Sequence, residues 1–307
     1  MKQVFRLQEA HRGKLLDSVN GYDIICCEEC GFVHIMPIPS EEELKRIYKD
    51  EYYTEEKPLY IERLEEDIEW WNTVYDDRYE ILETLLPDDC RSILDVGCGP
   101  GSFLKRGKER GWKVCGIEPS KVAAEYARGL GIDVIEGFFT KELKEKLCSF
   151  HVVHLSEVLE HLPNPEEFLR NVNDVVENGG FICCVVPNDY SPVQKILRER
   201  LGYKPYWLAP PHHINYFSFS TLEAFLERTG FRVVHRTAMF PMDFFLLMGE
   251  DYVGDDATGR RCHGMRKRLD LLLAASELGD FRKALYSLMA QYDVGREIIL
   301  YARKKEQ

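Results

Sequence analysis

A glycine run, an acid a strand's length beyond it, two histidine segments and one cysteine pair are the residues of this chain whose types and spacing suit chemistry. Asp95-Val96-Gly97-Cys98-Gly99-Pro100-Gly101 ends an apolar run, and its glycines read G-x-G-x-G. Glycines there let the backbone turn sharply and approach a ligand beside the positive end of a following helix. Ser102 stands where a dinucleotide fingerprint wants its third glycine, and Asp95 before the loop is a second departure from it. Glu118 follows in Gly116-Ile117-Glu118-Pro119-Ser120, about 20 residues on, where a strand-end carboxylate takes both hydroxyls of a ribose. His161 and His213 supply imidazoles that exchange protons near neutral pH, and Tyr216 is a third polar candidate that fits a core position better. Cys27-Glu28-Glu29-Cys30-Gly31 is half of a zinc knuckle.

Such groups need a frame that brings distant segments together. From residue 92 to 236, short apolar runs at 92–96, 113–117, 133–135, 151–155, 180–186 and 231–236 alternate with amphipathic stretches. Near-continuous apolar strands separated by helices predict a parallel sheet covered on both faces. Connections in such sheets leave from the carboxyl edge, so the glycine loop, Glu118, His161 and His213 are expected around one cleft. A capping box is expected at 220–223. His151, which starts the fourth run, is expected as a core or strand-end residue.

At this point the sequence resembles the class I S-adenosylmethionine-dependent methyltransferases. Asp95 to Gly101 matches that family's first motif, Gly116-Ile117-Glu118 its second, and Leu155-Ser156-Glu157-Val158-Leu159-Glu160-His161-Leu162-Pro163-Asn164-Pro165 its fourth-strand motif. The resemblance implies a Rossmann-like α/β fold with a seven-stranded, mostly parallel sheet and helices on both faces, whose last strand inserts antiparallel beside the sixth. It also implies S-adenosyl-L-methionine as cofactor. Asp95, Gly97, Cys98, Gly99 and Gly101 would form the loop at its methionine part, Glu118 would hold the ribose, Phe138 would lie near the adenine, and Ser156 and Glu157 would line the methyl-donor side. His213-Ile214-Asn215-Tyr216-Phe217-Ser218 resembles the family's H-x-x-x-F-S segment. His213, His161 and Tyr216 are the catalytic candidates, with His213 preferred as base because Pro210-Pro211 stiffens its approach. The family often opens its fourth strand with Asp, where this chain has His151.

The cysteine segment, with Pro37-Ile38-Pro39-Ser40 and Tyr52-Tyr53 after it, resembles a zinc-ribbon module found ahead of some sugar methyltransferases. That module has a second Cys-x-x-Cys upstream; here only His11 stands there, so a metal-free remnant is expected. The acceptor implied is a small molecule, a carbohydrate or nucleotide-linked sugar. Two other readings remain open: a nicotinamide-dependent oxidoreductase, and a cofactor-binding regulator without turnover.

Composition bounds the rest. In 307 residues, 52 acids against 40 basic residues give a net charge of −12, which disfavours nucleic acid as the main ligand. Ten scattered cysteines, several in apolar runs, read as reduced thiols rather than a disulfide framework. No apolar run approaches a membrane span and no signal peptide opens the chain, so a cytoplasmic protein is expected. The expected organisation is an N-terminal segment and helical cap at 1–85, a cofactor-binding domain at 86–240 with 295–307, and a helical insertion at 241–294. The insertion is expected to be a substrate lid or the contact of a homodimer. Its cations Arg260, Arg261, Arg266, Lys267 and Arg268 are candidates for an anionic substrate group, and Trp70, Trp71, Tyr75 and Tyr79 for a cover over the cofactor or a core stripe.

Overall fold

A computed structural model describes residues 11–46 and 59–306 of the chain, so Tyr52 and Tyr53 lie outside the described residues. The larger sheet has seven strands: β4 (Ser92–Val96), β5 (Lys113–Glu118), β6 (Val134–Glu136), β7 (Phe150–Ser156), β8 (Val176–Pro187), β10 (Phe231–Ala238) and β11 (Glu297–Lys304). Their order is β10-β11-β8-β7-β4-β5-β6, with β11 antiparallel to both β8 and β10 and the other pairings parallel. This is the seven-stranded α/β sheet that the resemblance implies.

Alternation along the strands builds two cores. Leu94, Val96, Val153, Leu155, Ile182, Cys184 and Val186 face helices Pro165–Val175 and Phe219–Arg228. Ile93, Val152, Phe181, Cys183 and Val185 face helices Ile68–Leu85 and Ser102–Glu109. Successive strand residues therefore serve opposite layers, which is why the runs read as continuously apolar.

Two local details differ from the expectation. The N-terminal segment is a sheet before it is a helix: β1 (Gly13–Val19), β2 (Tyr22–Cys27) and β3 (Val33–Met36) form an antiparallel meander, joined by β9 (Asn215–Tyr216) from the middle of the chain. The cap of helix Phe219–Arg228 is Ser218, reciprocally bonded to Thr221, two residues ahead of the expected box, because the helix starts earlier. The insertion between β10 and β11 comprises helices Asp243–Leu247, Asp256–Ala274 and Gly279–Gln291, and the middle one packs on helix Ile68–Leu85.

Candidate active site

β4 and its neighbours β5 and β7 deliver their carboxyl ends to a cleft of about 880 Å³, at the point where the strand order reverses. The loop after β4 folds over β5: the Gly97 and Cys98 amides both donate to the Ile117 carbonyl, at 2.8 and 3.1 Å. Gly97 has φ +76°, and a Cβ there would sit 2.9 Å from the Val158 side chain, so only glycine closes this turn. Gly97, Cys98, Gly99 and Asp95 line the cleft. Gly101 does not line it. Its φ of +81° caps helix Ser102–Glu109, and its open side lies against Ala127 at 2.8 Å, so its work is close packing.

Glu118, only 4% exposed, lines the same cleft at the end of β5. One carboxylate oxygen accepts the Gly99 amide at 2.9 Å and the other the Ser120 amide at 2.8 Å. Each oxygen keeps lone-pair capacity for a ribose hydroxyl. Burial pushes the carboxyl up to about 7, against the pull of those two amides. Phe138, Ser156 and Glu157 line the cleft as expected, and Glu157 adopts a left-handed backbone (φ +55°) at the β7 exit. These positions fit the nucleoside and methionine parts of S-adenosylmethionine.

One buried network extends outside the motifs. His154, mid-strand in β7, donates Nδ1–H to Asp95 at 2.7 Å, and Arg78 lies 3.2 Å from its Nε2. Burial lowers the His154 pKa, and the neutral tautomer with its lone pair on Nε2 satisfies both neighbours. Arg78 also reaches Ser156 at 3.4 Å and Glu297 at 3.7 Å. Glu297 is surrounded by Glu157, Arg78, Arg296 and Arg266, and burial raises its pKa. Arg78 was legible in principle, because Trp71, Tyr75 and Arg78 stand four and three residues apart on one helical face. All three line the cleft, whereas Trp70 and Tyr79 are buried in the core, so the aromatic stripe divides between both expected roles. His151 bonds Ser92 at the opposite strand end, 2.6 Å away, as a strand-end residue.

The histidine candidates separate. His161 lines the cleft, on a short turn (Leu159–His161) after β7, and donates Nδ1–H to the His212 carbonyl at 2.8 Å. His213 is not among the cleft-lining residues; its ring stands edge-on to His161 at 5.0 Å between centroids. Beside them Glu160 is 1% exposed, and neither carboxyl oxygen has a hydrogen-bond partner among the described residues. Tyr216 is 2% exposed in the core of the small sheet, with its hydroxyl accepting the Ala209 amide at 3.3 Å. Its place is therefore structural.

The cation patch disperses around its helix. Arg261 pairs with Glu250, Lys267 with Asp67, and Arg260 and Arg268 face outward. Arg266 alone turns into the cleft, 8% exposed, with its guanidinium 4.5 Å over the Trp70 ring. At the cysteine knuckle, His11, Cys27, Cys30 and His34 place one donor atom each within 4.8 Å of one another.

The chain matches a family model described as a methyltransferase domain over residues 68–236, just over half its length. It is similar to the C-methyltransferase NovU of Streptomyces niveus, 26% identical over 46% of this chain and 33% of that protein. A ubiquinone biosynthesis O-methyltransferase of Caulobacter vibrioides is 30% identical over 41% of this chain and 53% of that protein. The chain thus spans about half or less of these relatives. Among solved structures, a SAM-dependent methyltransferase from Archaeoglobus fulgidus shares the fold with a TM-score of 0.53 at 18% identity, over 83% of this chain and all of that one. From the seven-stranded sheet, the glycine loop with its strand-end acid, and the family model that spans them, the chain belongs to the methyltransferase-domain family.

Proposed function

We propose that this chain transfers a methyl group from S-adenosylmethionine to a small-molecule acceptor. The observation that carries it is Glu118, buried at the cleft with one backbone amide on each oxygen and room for a ribose diol. The bound cofactor supplies an activated methyl on a sulfonium. The chain's own residues do the rest: the loop at Gly97–Gly99 fixes the cofactor, and Phe138 and the Trp71-Tyr75 wall exclude water. His161 takes the acceptor's proton at Nε2, since its Nδ1–H is committed to the His212 carbonyl. Alignment within the closed cleft contributes the larger share of rate.

The acceptor we infer carries an anionic group. Arg266 and Arg296 line the cleft beside Glu297; Arg296 is already held among Asp189, Asp243, Glu297 and Glu157, so Arg266 is the guanidinium offered to a phosphate or carboxylate, in support of a nucleotide-linked sugar. Calorimetry with S-adenosylmethionine and with NAD tests the cofactor: binding of the first and none of the second is expected, and the reverse defeats the proposal. Release of S-adenosylhomocysteine with nucleotide-linked sugars, compared with neutral sugars, tests the acceptor. No turnover with any acceptor in a cofactor-binding protein would favour a regulator instead.

A further inference from the structure

We infer that His11, Cys27, Cys30 and His34 form a four-coordinate zinc site that ties the N-terminal sheet to the acceptor side of the cleft. Cys27 ends β2 and Cys30 lies in the turn to β3, where Gly31 takes φ +74° and its amide returns to the Cys27 carbonyl at 3.0 Å. The Cys30 amide points at the Cys27 sulfur, 3.4 Å away, as in a knuckle that stabilises thiolate. His11 Nδ1 lies 3.6 Å from the Cys27 sulfur and 3.3 Å from that of Cys30. Around a tetrahedral zinc with its usual bond lengths, a sulfur and a nitrogen stand about 3.5 Å apart.

His34 completes the set, although it follows Cys30 without the spacing of a second knuckle. It is 1% exposed, its Nδ1–H donates to the Ile35 carbonyl at 2.9 Å, and its Nε2 has no hydrogen-bond partner among the described residues. A carbonyl on one imidazole nitrogen fixes the tautomer that ligates through the other, the usual support of a metal-bound histidine. The ring meets that of His11 edge-on at 4.8 Å. Two thiolates and two imidazoles without an oxygen donor select zinc over magnesium or calcium.

The site reaches the chemistry through strand pairing. His34 is paired with Asn215 of β9, and Ile35 donates its amide to the Ile214 carbonyl at 3.0 Å. Asn215 in turn donates its side-chain amide to the Leu159 and Leu162 carbonyls, both at 2.8 Å, and the Ile214 amide donates to the Glu160 backbone carbonyl at 2.7 Å. Those bonds hold the turn that carries His161. The zinc is therefore a positioning element for the acceptor side; this consequence rests on the proposed methyl transfer, whereas the metal site does not.

The test uses the full chain, grown with zinc and purified without a metal-binding tag or chelator. Elemental analysis is expected to find one zinc per chain, lost in Cys27→Ser/Cys30→Ser and reduced in His34→Ala. Exchange of wild-type protein with cobalt(II) keeps the test valid if the variants misfold: a thiolate-to-cobalt charge-transfer band with intense visible tetrahedral absorption is expected. Zinc well below one per chain in folded wild type, a Cys27–Cys30 disulfide in its place, or zinc retained by the folded double variant would overturn the site. Stoichiometric zinc in a protein with no methyl transfer would leave the site standing and remove only its catalytic consequence.

Discussion

At Glu118, burial pushes the carboxyl up to about 7 against the pull of the Ser120 and Gly99 amides. A ribose diol donates to the ionised form, so cofactor binding releases a proton wherever Glu118 starts protonated. Affinity is expected to be flat above about pH 7 and to fall towards tenfold per unit below it, a slope that Glu118→Gln removes. Without cofactor the sign reverses. A carboxyl raised above its ordinary 4.5 favours the folded chain when protonated; that contribution is fully present below 4.5 and is lost as the pH rises through about 7. Calorimetry in buffers of different ionisation enthalpy counts the proton directly, and Glu118→Ala is expected to cost about 2–3 kcal/mol of cofactor binding. Unchanged affinity in the folded variant would remove Glu118 from the site. For the base, His161→Ala is expected to lower turnover about a hundredfold or more with cofactor affinity nearly intact. His213→Ala should cost less, because His213 stands behind His161 and off the cleft lining. A larger loss in His213→Ala than in His161→Ala would restore His213 as the preferred base.

Helix Ser102–Glu109 shows how an element's packing overrides its propensity. Gly107 sits inside it, where alanine would ordinarily gain about 1 kcal/mol. A Cβ at Gly107 would lie 2.1 Å from the Tyr79 hydroxyl and 2.5 Å from its ring carbon, on a ring stacked over Phe103 at 4.6 Å. Gly107→Ala is therefore expected to destabilise by about 1–3 kcal/mol in urea unfolding, as overpacking does. Adding Tyr79→Phe should recover only part, since the ring carbon remains; a stabilised single variant would contradict the contact. The inner strands β4, β7 and β8 of the large sheet were legible because they carry buried apolar runs, whereas β6 and β10 at its edges are only partly buried. The first hairpin was equally marked by Asn20-Gly21, both left-handed at φ +54° and +82°, between Val19 and Tyr22. Gly101 and Tyr216 were harder: a motif glycine turned towards helix Lys121–Gly129, and a tyrosine beside His213 turned into another core.

Over the whole molecule, what sequence order hides is which layers clasp each other. β9 completes a sheet whose other strands lie far earlier in the chain, and no local pattern in Asn215-Tyr216 announces it. The cap helix and the insertion are joined in the same non-local way, by Asp77 with Arg282 at 2.7 Å, by Asp67 with His263 and Lys267, and most deeply by Asp270. Its carboxylate, 3% exposed, accepts the Trp70 indole N–H at 2.8 Å and the Tyr286 hydroxyl, with Arg282 at 4.0 Å. One side chain thus links helices Ile68–Leu85, Asp256–Ala274 and Gly279–Gln291, which bring Trp71, Tyr75, Arg78 and Arg266 to the cleft. Asp270→Ala strands two buried donors, the Trp70 indole and the Tyr286 hydroxyl, while Arg282 keeps Asp77 at 2.7 Å, so it is expected to cost about 2–5 kcal/mol. The outer ion pair of Lys283 with Glu80, at 2.5 Å but with both side chains over two-fifths exposed, should contribute under about 1 kcal/mol and fade with salt. Denaturant unfolding of Asp270→Ala, Asp270→Asn and Lys283→Ala separates the two contributions. The asparagine is expected to retain part of the stability, because its amide oxygen still accepts one bond. A loss for Asp270→Ala no larger than that for Lys283→Ala would mean the insertion rests on the cap without being clasped, and Arg266 would then not be held against Trp70 as a fixed wall of the cleft.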